Sequence, residues 1–117
     1  MNEDFKFKLR KEELKPLAIG FGACYATDMI MIEGKKINFM YRENSEFEND
    51  SGWRFFSGYE SEEYINNPSN TKIYDVNTIA NYEEDIISLL MSPYLTAFER
   101  NKKTLRLEQI FDFEFPY

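Results

Sequence analysis

The run Trp53–Phe56 combines three aromatic side chains with one arginine, and it is too short to form a helix of its own. Aromatic residues in such a run favour a β-strand. Neighbouring side chains of a strand point to opposite faces, so Trp53 and Arg54 must meet different surroundings. We expect Trp53 to lie in the core and Arg54 to emerge on the opposite face, where it pairs with Asp50 or Asp75. The chain must therefore form a sheet with two unlike faces.

Short runs of alternating apolar and polar residues predict the other strands of this sheet. Gly34 lies between two such runs and can supply the positive φ that a hairpin turn needs. We expect the hairpin to join 29–32 to 37–41, a helical turn at 60–64, and further strands at 5–9, 23–27, 53–56, 95–100 and, as one or two strands, within 105–115.

One segment, at about 82–91, has the features of a main helix. Asn81 is a suitable N-cap, and Glu84 stands three residues further on to complete a capping box. Ile86 and Leu90 are four residues apart and lie on one apolar face. Together the elements predict an α+β fold, a mostly antiparallel sheet with this one main helix packed on a face.

Composition bounds the size and the location of the protein. A chain of 117 residues with 43% hydrophobic residues fits one domain that covers the whole of 1–117. No apolar run approaches the roughly 18 residues of a membrane span, and the acidic start lacks the basic and apolar regions of a secretory signal. The chain has one cysteine, so no internal disulfide can form. We therefore expect a cytoplasmic protein with no membrane partner.

Charge is distributed unevenly along the chain. Between Ile37 and Glu99 there are twelve acidic residues and three basic ones, within a net charge of −7 for the whole chain. A negative field repels phosphate backbones and attracts basic proteins, so we expect no nucleic-acid partner. The alternative is that the charge only keeps the protein soluble.

The residues that usually carry catalysis are few. The chain has no histidine, and its cysteine, Cys24, lies in an apolar run where a buried and inert thiol is expected. We therefore predict no catalytic residues, no metal site and no cofactor. Carboxylates remain numerous, and a pair such as Asp28 and Glu33 leaves an acid–base enzyme open as an alternative.

One block of motif residues is more specific than any of these patterns. It contains the runs Asp50-Ser51-Gly52-Trp53-Arg54-Phe55 and Asn77-Thr78-Ile79, together with Asp28, Tyr41 and Arg42. In order and spacing, from Phe21 to Arg100, these residues resemble the bacterial immunity protein 33 family, also described as domain of unknown function 2185. The resemblance implies a family core at about 21–100, and the strands expected from alternation at 5–9 and within 105–115 flank it.

The resemblance also implies a protein that neutralises a cognate toxin by binding it, without catalysis or cofactor. Exposed acids and aromatic residues would make the contact, and the partner-binding candidates are Glu43, Glu46, Glu48, Asp50, Arg54 and Asp75. The family-motif residues are Asp28, Tyr41, Arg42, Ser51, Gly52, Trp53, Asn77 and Thr78. Four of them have a structural alternative, in turns and hydrogen bonds inside the fold: Asp28, Tyr41, Arg42 and Asn77.

Two other hypotheses remain beside toxin binding. One is a stand-alone cytoplasmic protein that binds a small molecule or a regulatory partner in a pocket between Trp53 and Asn77–Ile79. The other is an enzyme that uses carboxylates. A flat acidic face with exposed aromatic residues favours toxin binding, whereas a cleft with two facing acids favours the enzyme.

Overall fold

The computed structural model describes residues 7–115, which contain a six-stranded sheet. Its strands are β1 (Ala23–Thr27), β2 (Phe39–Arg42), β3 (Asp50–Phe56), β4 (Thr71–Asp75), β5 (Thr96–Arg100) and β6 (Leu107–Ile110). Their order across the sheet is β4-β1-β3-β2-β5-β6. β1 is parallel to β3, and the other neighbouring pairs are antiparallel. The α+β class and the mostly antiparallel sheet are confirmed.

The helices are short. They are α1 (Asp28–Met31), α2 (Glu62–Asn66) and α3 (Val76–Tyr82), with 3₁₀ helices at Lys11–Glu13, Pro68–Asn70 and Glu84–Leu89. Within the described part of the chain, no helix is long and apolar enough to cross a membrane.

The prediction of one main helix at 82–91 is wrong. The longest α-helix, α3, has seven residues and ends where the predicted helix was to begin. Asp75 caps α3 by accepting a hydrogen bond from the Asn77 backbone N–H at 2.8 Å. The Asn81 side chain instead bonds the backbone of Lys15, so it anchors the N-terminal segment to α3 rather than capping a new helix. The chain beyond α3 continues as a 3₁₀ helix.

The predicted hairpin is wrong in its first half. Ile30 and Met31 are neighbours that are both buried, a pattern that a helical turn permits but an alternating strand does not. Gly34 has the expected positive φ, 75°. Its N–H, however, bonds the carbonyl of Ile30 at 3.1 Å and so ends α1. Gly34 therefore has the predicted positive φ, but at the end of a helix and not in a hairpin turn.

The flanking segments differ from the predicted strands. Of the expected first strand, Phe5 lies outside the described residues, and positions 7–9 form bends. Near the other end β6 confirms one C-terminal strand, but 111–115 does not form a second. Phe113 instead stacks on Tyr41, with ring centroids 4.8 Å apart.

The two faces of the sheet bury different side chains. Trp53 and Phe55 are fully buried, as expected for Trp53, and α3 packs on their face through Ile79. The opposite face carries half-buried aromatic rings, with the centroids of Tyr41 and Phe56 only 5.6 Å apart. The expectation of a sheet with two unlike faces is confirmed.

The strands run between two ends of the sheet, which we name the loop end and the far end. At the loop end β1 begins beside the start of β3, and β2 ends beside the start of β5. Residues 43–49, the acidic loop, and residues 91–95, the apolar loop, connect strands there. The far end carries α2 and the connection 101–106 between β5 and β6.

Candidate functional site

The candidate site is the loop end, where the acidic loop and the apolar loop meet at Gly52. A Cβ atom at this position would collide with the carbonyl oxygen of Glu43 and would lie 3.2 Å from Cε1 of Tyr94. The φ angle of Gly52 is 87°, a region that other residues rarely adopt. Glycine is therefore required where the two loops approach each other.

A β-bulge at the start of β3 orients the charged side chains of the site. Ala23 pairs with Asp50 and Tyr25 with Arg54, so two steps along β1 match four along β3. Ser51 fills the irregularity, because its hydroxyl donates to the carbonyl of Ala23 at 2.6 Å. The bulge allows Asp50 and Arg54 to meet side by side.

Three charged side chains form what we name the arginine cluster: Arg54, Asp50 and Glu43. The guanidinium of Arg54 donates two hydrogen bonds to the Asp50 carboxylate, at 2.8 and 2.9 Å, and one to Glu43. It also lies over the ring of Tyr25, 4.3 Å from the centroid. Of the two carboxylates expected to pair with Arg54, Asp50 and Asp75, the structure shows Asp50.

Arg54 does not emerge at the surface as expected. Its side chain is 2% exposed, because Tyr25 covers it from β1 and Phe47 of the acidic loop packs edge-on against Tyr25. The cause of this burial is tertiary. Alternation along β3 places Arg54 on the face opposite Trp53, and side chains from β1 and from the acidic loop then cover it. Arg54 therefore holds the acidic loop from below.

Asp50 and Arg54 stay charged across the ordinary pH range. Burial alone would raise the pKa of Asp50, but hydrogen bonds from Arg54 and from two backbone N–H groups, of Glu46 and Gly52, hold it below its usual range. Burial would lower the pKa of Arg54, but the carboxylates of Asp50 and Glu43 outweigh that effect and raise it. Groups held in one charge state are poorly suited to transfer protons.

The six predicted partner-binding residues fall into two groups. Glu43, Asp50 and Arg54 are packed together as the arginine cluster, whereas Glu46, Glu48 and Asp75 are exposed at the loop end. Asp75 also caps α3, and Glu46 accepts a weak hydrogen bond from the Tyr25 hydroxyl at 3.3 Å. The assignment of these six residues as partner contacts stays a prediction. In this conformation only Glu46, Glu48 and Asp75 are exposed enough to touch a partner directly.

The apolar loop is fixed at several points, chiefly by Arg42. The Arg42 guanidinium donates to the carbonyls of Ser51 and Ser92, both at 2.8 Å, and lies 4.2 Å from the ring centroid of Tyr94. The backbone N–H of Leu95 donates to the carbonyl of Arg42. Arg42 thereby ties the apolar loop to the bulge of β3.

Sequence reasoning missed the apolar loop as a functional candidate. Met91, Tyr94 and Leu95 surround Ser92 and Pro93, which follow directly on the predicted helix at about 82–91. Apolar residues placed around a helix-terminating proline were the signal that could have identified an exposed apolar turn.

The other family-motif residues make contacts within the fold. Asp28 pairs with Lys72 at 2.8 Å, and Asn77 accepts from the backbone N–H groups of Leu17 and Ala18, both at 2.8 Å. Tyr41 stacks with Phe56 and Phe113 on the face of the sheet opposite Trp53, and Thr78 is half-buried on α3. These contacts fit the structural alternative for Asp28, Tyr41 and Asn77.

The pocket expected between Trp53 and Asn77–Ile79 for a small molecule is not open in the structure. Trp53 and Ile79 are both fully buried, so solvent does not reach the proposed pocket between them. Cys24 is fully buried as well, and burial raises the pKa of its thiol. Among residues 7–115, no group of three or more Cys, Asp or Glu side chains is gathered where it could hold a metal ion.

Comparison with known proteins assigns the family. Residues 24–110 match the Immunity protein Imm33 domain, which is most of the chain and extends past the expected core to include β6. Among curated proteins and among solved structures, nothing matches this chain. The matched segment contains the bulge, the arginine cluster and both loops of the loop end. The chain therefore belongs to the Imm33 immunity protein family.

Proposed function

We propose that this protein neutralises a cognate toxin in the cytoplasm by binding it, without catalysis. Membership of an immunity protein family supports the role in general terms. The observation that carries the proposal is the acidic loop, whose carboxylates Glu46 and Glu48 face solvent above a buried arginine that fixes the loop from below.

The arginine cluster favours tight binding because it orders the loop in advance. A loop that is already fixed loses little conformational entropy when a partner binds. Asp50 contributes by accepting hydrogen bonds from the Glu46 N–H at 2.8 Å and the Gly52 N–H at 2.9 Å, so it holds both sides of the loop. Exposed carboxylates on such a frame speed association with a basic surface.

A binding role without catalysis is supported by how the ionisable groups are used. Asp50 and Glu43, the two carboxylates of the arginine cluster, both accept hydrogen bonds from the guanidinium of Arg54. The second carboxylate that burial perturbs, Glu60, accepts hydrogen bonds from Thr27 and from two backbone N–H groups. The carboxylates of Asp50 and Glu60 therefore both hold loops in place through hydrogen bonds.

The test is capture of the toxin from the host bacterium with tagged protein. We compare wild type with Glu46→Lys/Glu48→Lys and with a matched control, Glu62→Lys/Glu63→Lys, which reverses two exposed acids on α2 at the far end. Wild type and control should retain one protein in near-equal amount, and the acidic-loop variant should lose it. The retained protein should stop growth when it is expressed alone, and co-expression of the wild-type chain should restore growth.

The proposal fails under either of two results. One is a retained protein that is harmless when expressed alone. The other is equal protection by the wild type and by a variant that lacks all measurable binding. Raising the salt concentration should weaken the interaction, since attraction between exposed charges is screened.

A further inference from the structure

The apolar loop exposes three large apolar side chains within five residues. Met91 is 81% exposed, Tyr94 47% and Leu95 48%. Side chains in this position add little to the core, and clustered apolar exposure marks a contact surface more often than isolated exposure does. The loop is therefore the apolar patch of the loop end.

The fold holds this patch in one conformation. Trp53 donates from its indole N–H to the carbonyl of Leu90 at 3.2 Å, which fixes the start of the loop. Arg42 fixes the middle through the carbonyl of Ser92, and its own carbonyl accepts from the N–H of Leu95 at the end. Ordered apolar side chains can enter a partner's pocket without a further entropy cost from the loop.

Leu95 is held in a left-handed conformation, with φ 66°. For a residue other than glycine this backbone conformation is strained. Strain alone does not mark the loop, because Leu105 at the far end has φ 63° and is 67% exposed. What distinguishes Leu95 is its place beside Met91 and Tyr94 and next to the acidic loop.

The acidic loop borders the apolar patch. Gly52 contacts both, since Glu43 and Tyr94 approach it from the two loops. An apolar centre with a polar border is the usual arrangement of a protein–protein interface, in which a few central side chains carry most of the binding energy. Here the border is negative, so its complement is positive.

We infer that the apolar loop is the hydrophobic anchor of the toxin interface, and that the toxin receives it in an apolar pocket bordered by Lys or Arg. The inference rests on the proposed function and adds to it the centre of the contact and the chemistry of the partner. The acidic loop guides the approach, and Met91, Tyr94 and Leu95 hold the complex together.

Photo-crosslinking in the host bacterium tests the placement of the anchor. p-Benzoylphenylalanine is introduced at Tyr94, at Glu48 and, as a control, at Tyr59, an aromatic residue that is 70% exposed at the far end. The expected result is one shared adduct from Tyr94 and Glu48, to a protein that is toxic when expressed alone, and no such adduct from Tyr59.

Every other outcome overturns either the anchor alone or both proposals. An adduct from Glu48 without one from Tyr94, or adducts with different proteins, overturns the anchor and leaves the toxin-binding proposal standing. An equal adduct from Tyr59 also overturns the anchor, because the contact is then not confined to the loop end. If neither loop-end position forms an adduct with a toxic protein, both proposals fail.

The affinity of variants for the purified crosslinked protein then shows how much the anchor contributes to binding. Leu95→Asn suits the left-handed conformation and removes the apolar side chain, so Tm should hold or rise while affinity falls at least about 10-fold. Leu105→Asn is the matched control at the far end, with a similar φ, and should leave affinity unchanged. Affinity of Leu95→Asn within about twofold of wild type overturns the anchor.

Discussion

The loop end and the far end of the sheet each contain a nearly buried arginine, but they use it differently. Arg54 is 2% exposed and bonds Asp50, whose side chain is 0% exposed. Arg100 is 7% exposed and bonds Asp85, which is 46% exposed, together with the carbonyls of Ile37 and Leu105. It also lies 3.5 Å from Glu83, which is 14% exposed and pairs with Lys36 as well. Arg54 neutralises two carboxylates of one cluster, whereas the acidic partners of Arg100 are either exposed, as Asp85 is, or paired with a second cation, as Glu83 is.

This difference determines the surface charge at each end. The bases of the loop end, Arg42 and Arg54, point into the fold, so the exposed charges described there are acids. At the far end exposed Lys102 and Lys103 stand near Glu99, so acids and bases are mixed. A net charge of −7 therefore says less about partners than the direction in which the basic side chains point.

The largest expected effect comes from removing each arginine. Arg54→Met leaves Asp50 and Glu43 without their cation in a buried site, and we expect the free energy of unfolding to fall by about 3–5 kcal/mol. Arg100→Met leaves carbonyl groups unpaired, but Asp85 can turn to water and Glu83 keeps Lys36 and the Ile37 N–H, so about 1–3 kcal/mol is expected. Urea denaturation of both variants measures the difference. Equal losses would remove the distinction between the two ends.

Glycine substitutions give the next effect. Gly52→Ala places a Cβ against the carbonyl of Glu43 in addition to the strain of its φ of 87°, so more than about 2 kcal/mol should be lost. Gly58→Ala at the far end has a similar φ, 90°, but its Cβ would meet only Asn38 at 3.3 Å. Its loss should be about 1–2 kcal/mol, the cost of the backbone conformation. Thermal unfolding compares the two, and a larger loss for Gly58→Ala would contradict the close approach of the loops at Gly52.

Acid should weaken both ends through one depressed carboxylate each. Burial would raise the pKa of Glu60, but hydrogen bonds from Thr27 and Ser57 lower it, as Arg54 does for Asp50. A carboxylate whose pKa is lower in the folded state stabilises it above the unfolded pKa, and that contribution disappears as pH falls through the folded value. The carboxyl groups of unfolded Asp and Glu have pKa values of about 4, so the loss of stability should begin below about pH 4.

Two single variants separate these contributions. Asp50→Asn and Glu60→Gln should each be less stable than wild type at pH 7 and should each show a shallower decline of stability below about pH 4. Denaturation at a series of pH values gives the slopes. A slope unchanged in Asp50→Asn would show that the arginine cluster does not contribute to acid sensitivity.

The smallest effect is expected from exposed acids. Glu48→Gln at the loop end and Glu63→Gln on α2 should both change the free energy of unfolding by less than about 0.5 kcal/mol. The two ends should then differ in partner binding alone, since Glu48 borders the proposed interface and Glu63 does not. A loss above about 1 kcal/mol for Glu48→Gln would indicate that Glu48 supports the fold.

Much of the sheet was predictable, because the strands at 23–27, 53–56 and 95–100 are short runs rich in apolar and aromatic residues that lie close to glycine or proline. The position of the longest helix was not. Asp75 and Asn81 are both competent N-caps, and the choice was decided by Lys15, which occupies the Asn81 side chain from a distant part of the chain. Local capping signals cannot include such a partner.

The candidate site was predictable in its residues but not in its arrangement. The sequence pointed to Arg54 and to two possible partners, Asp50 and Asp75, and three of the partner-binding candidates, Glu43, Glu46 and Glu48, lie in the acidic loop. Which of its acids face inward depends on the bulge in β3 and on Glu43 reaching the same guanidinium. The apolar loop was missed because exposure of Met91 and Leu95 depends on where Arg42 and Trp53 hold the backbone.

The sequence alone determined the α+β class, the buried Trp53, two candidate partners for Arg54 and the family resemblance, because these depend on patterns and motifs within short segments. Only the tertiary structure decided that Arg54 is buried, that α3 begins at Val76, and that an acidic loop and an apolar loop meet at Gly52. The reason is physical: burial and loop packing depend on side chains far apart in the chain, which no local pattern brings together.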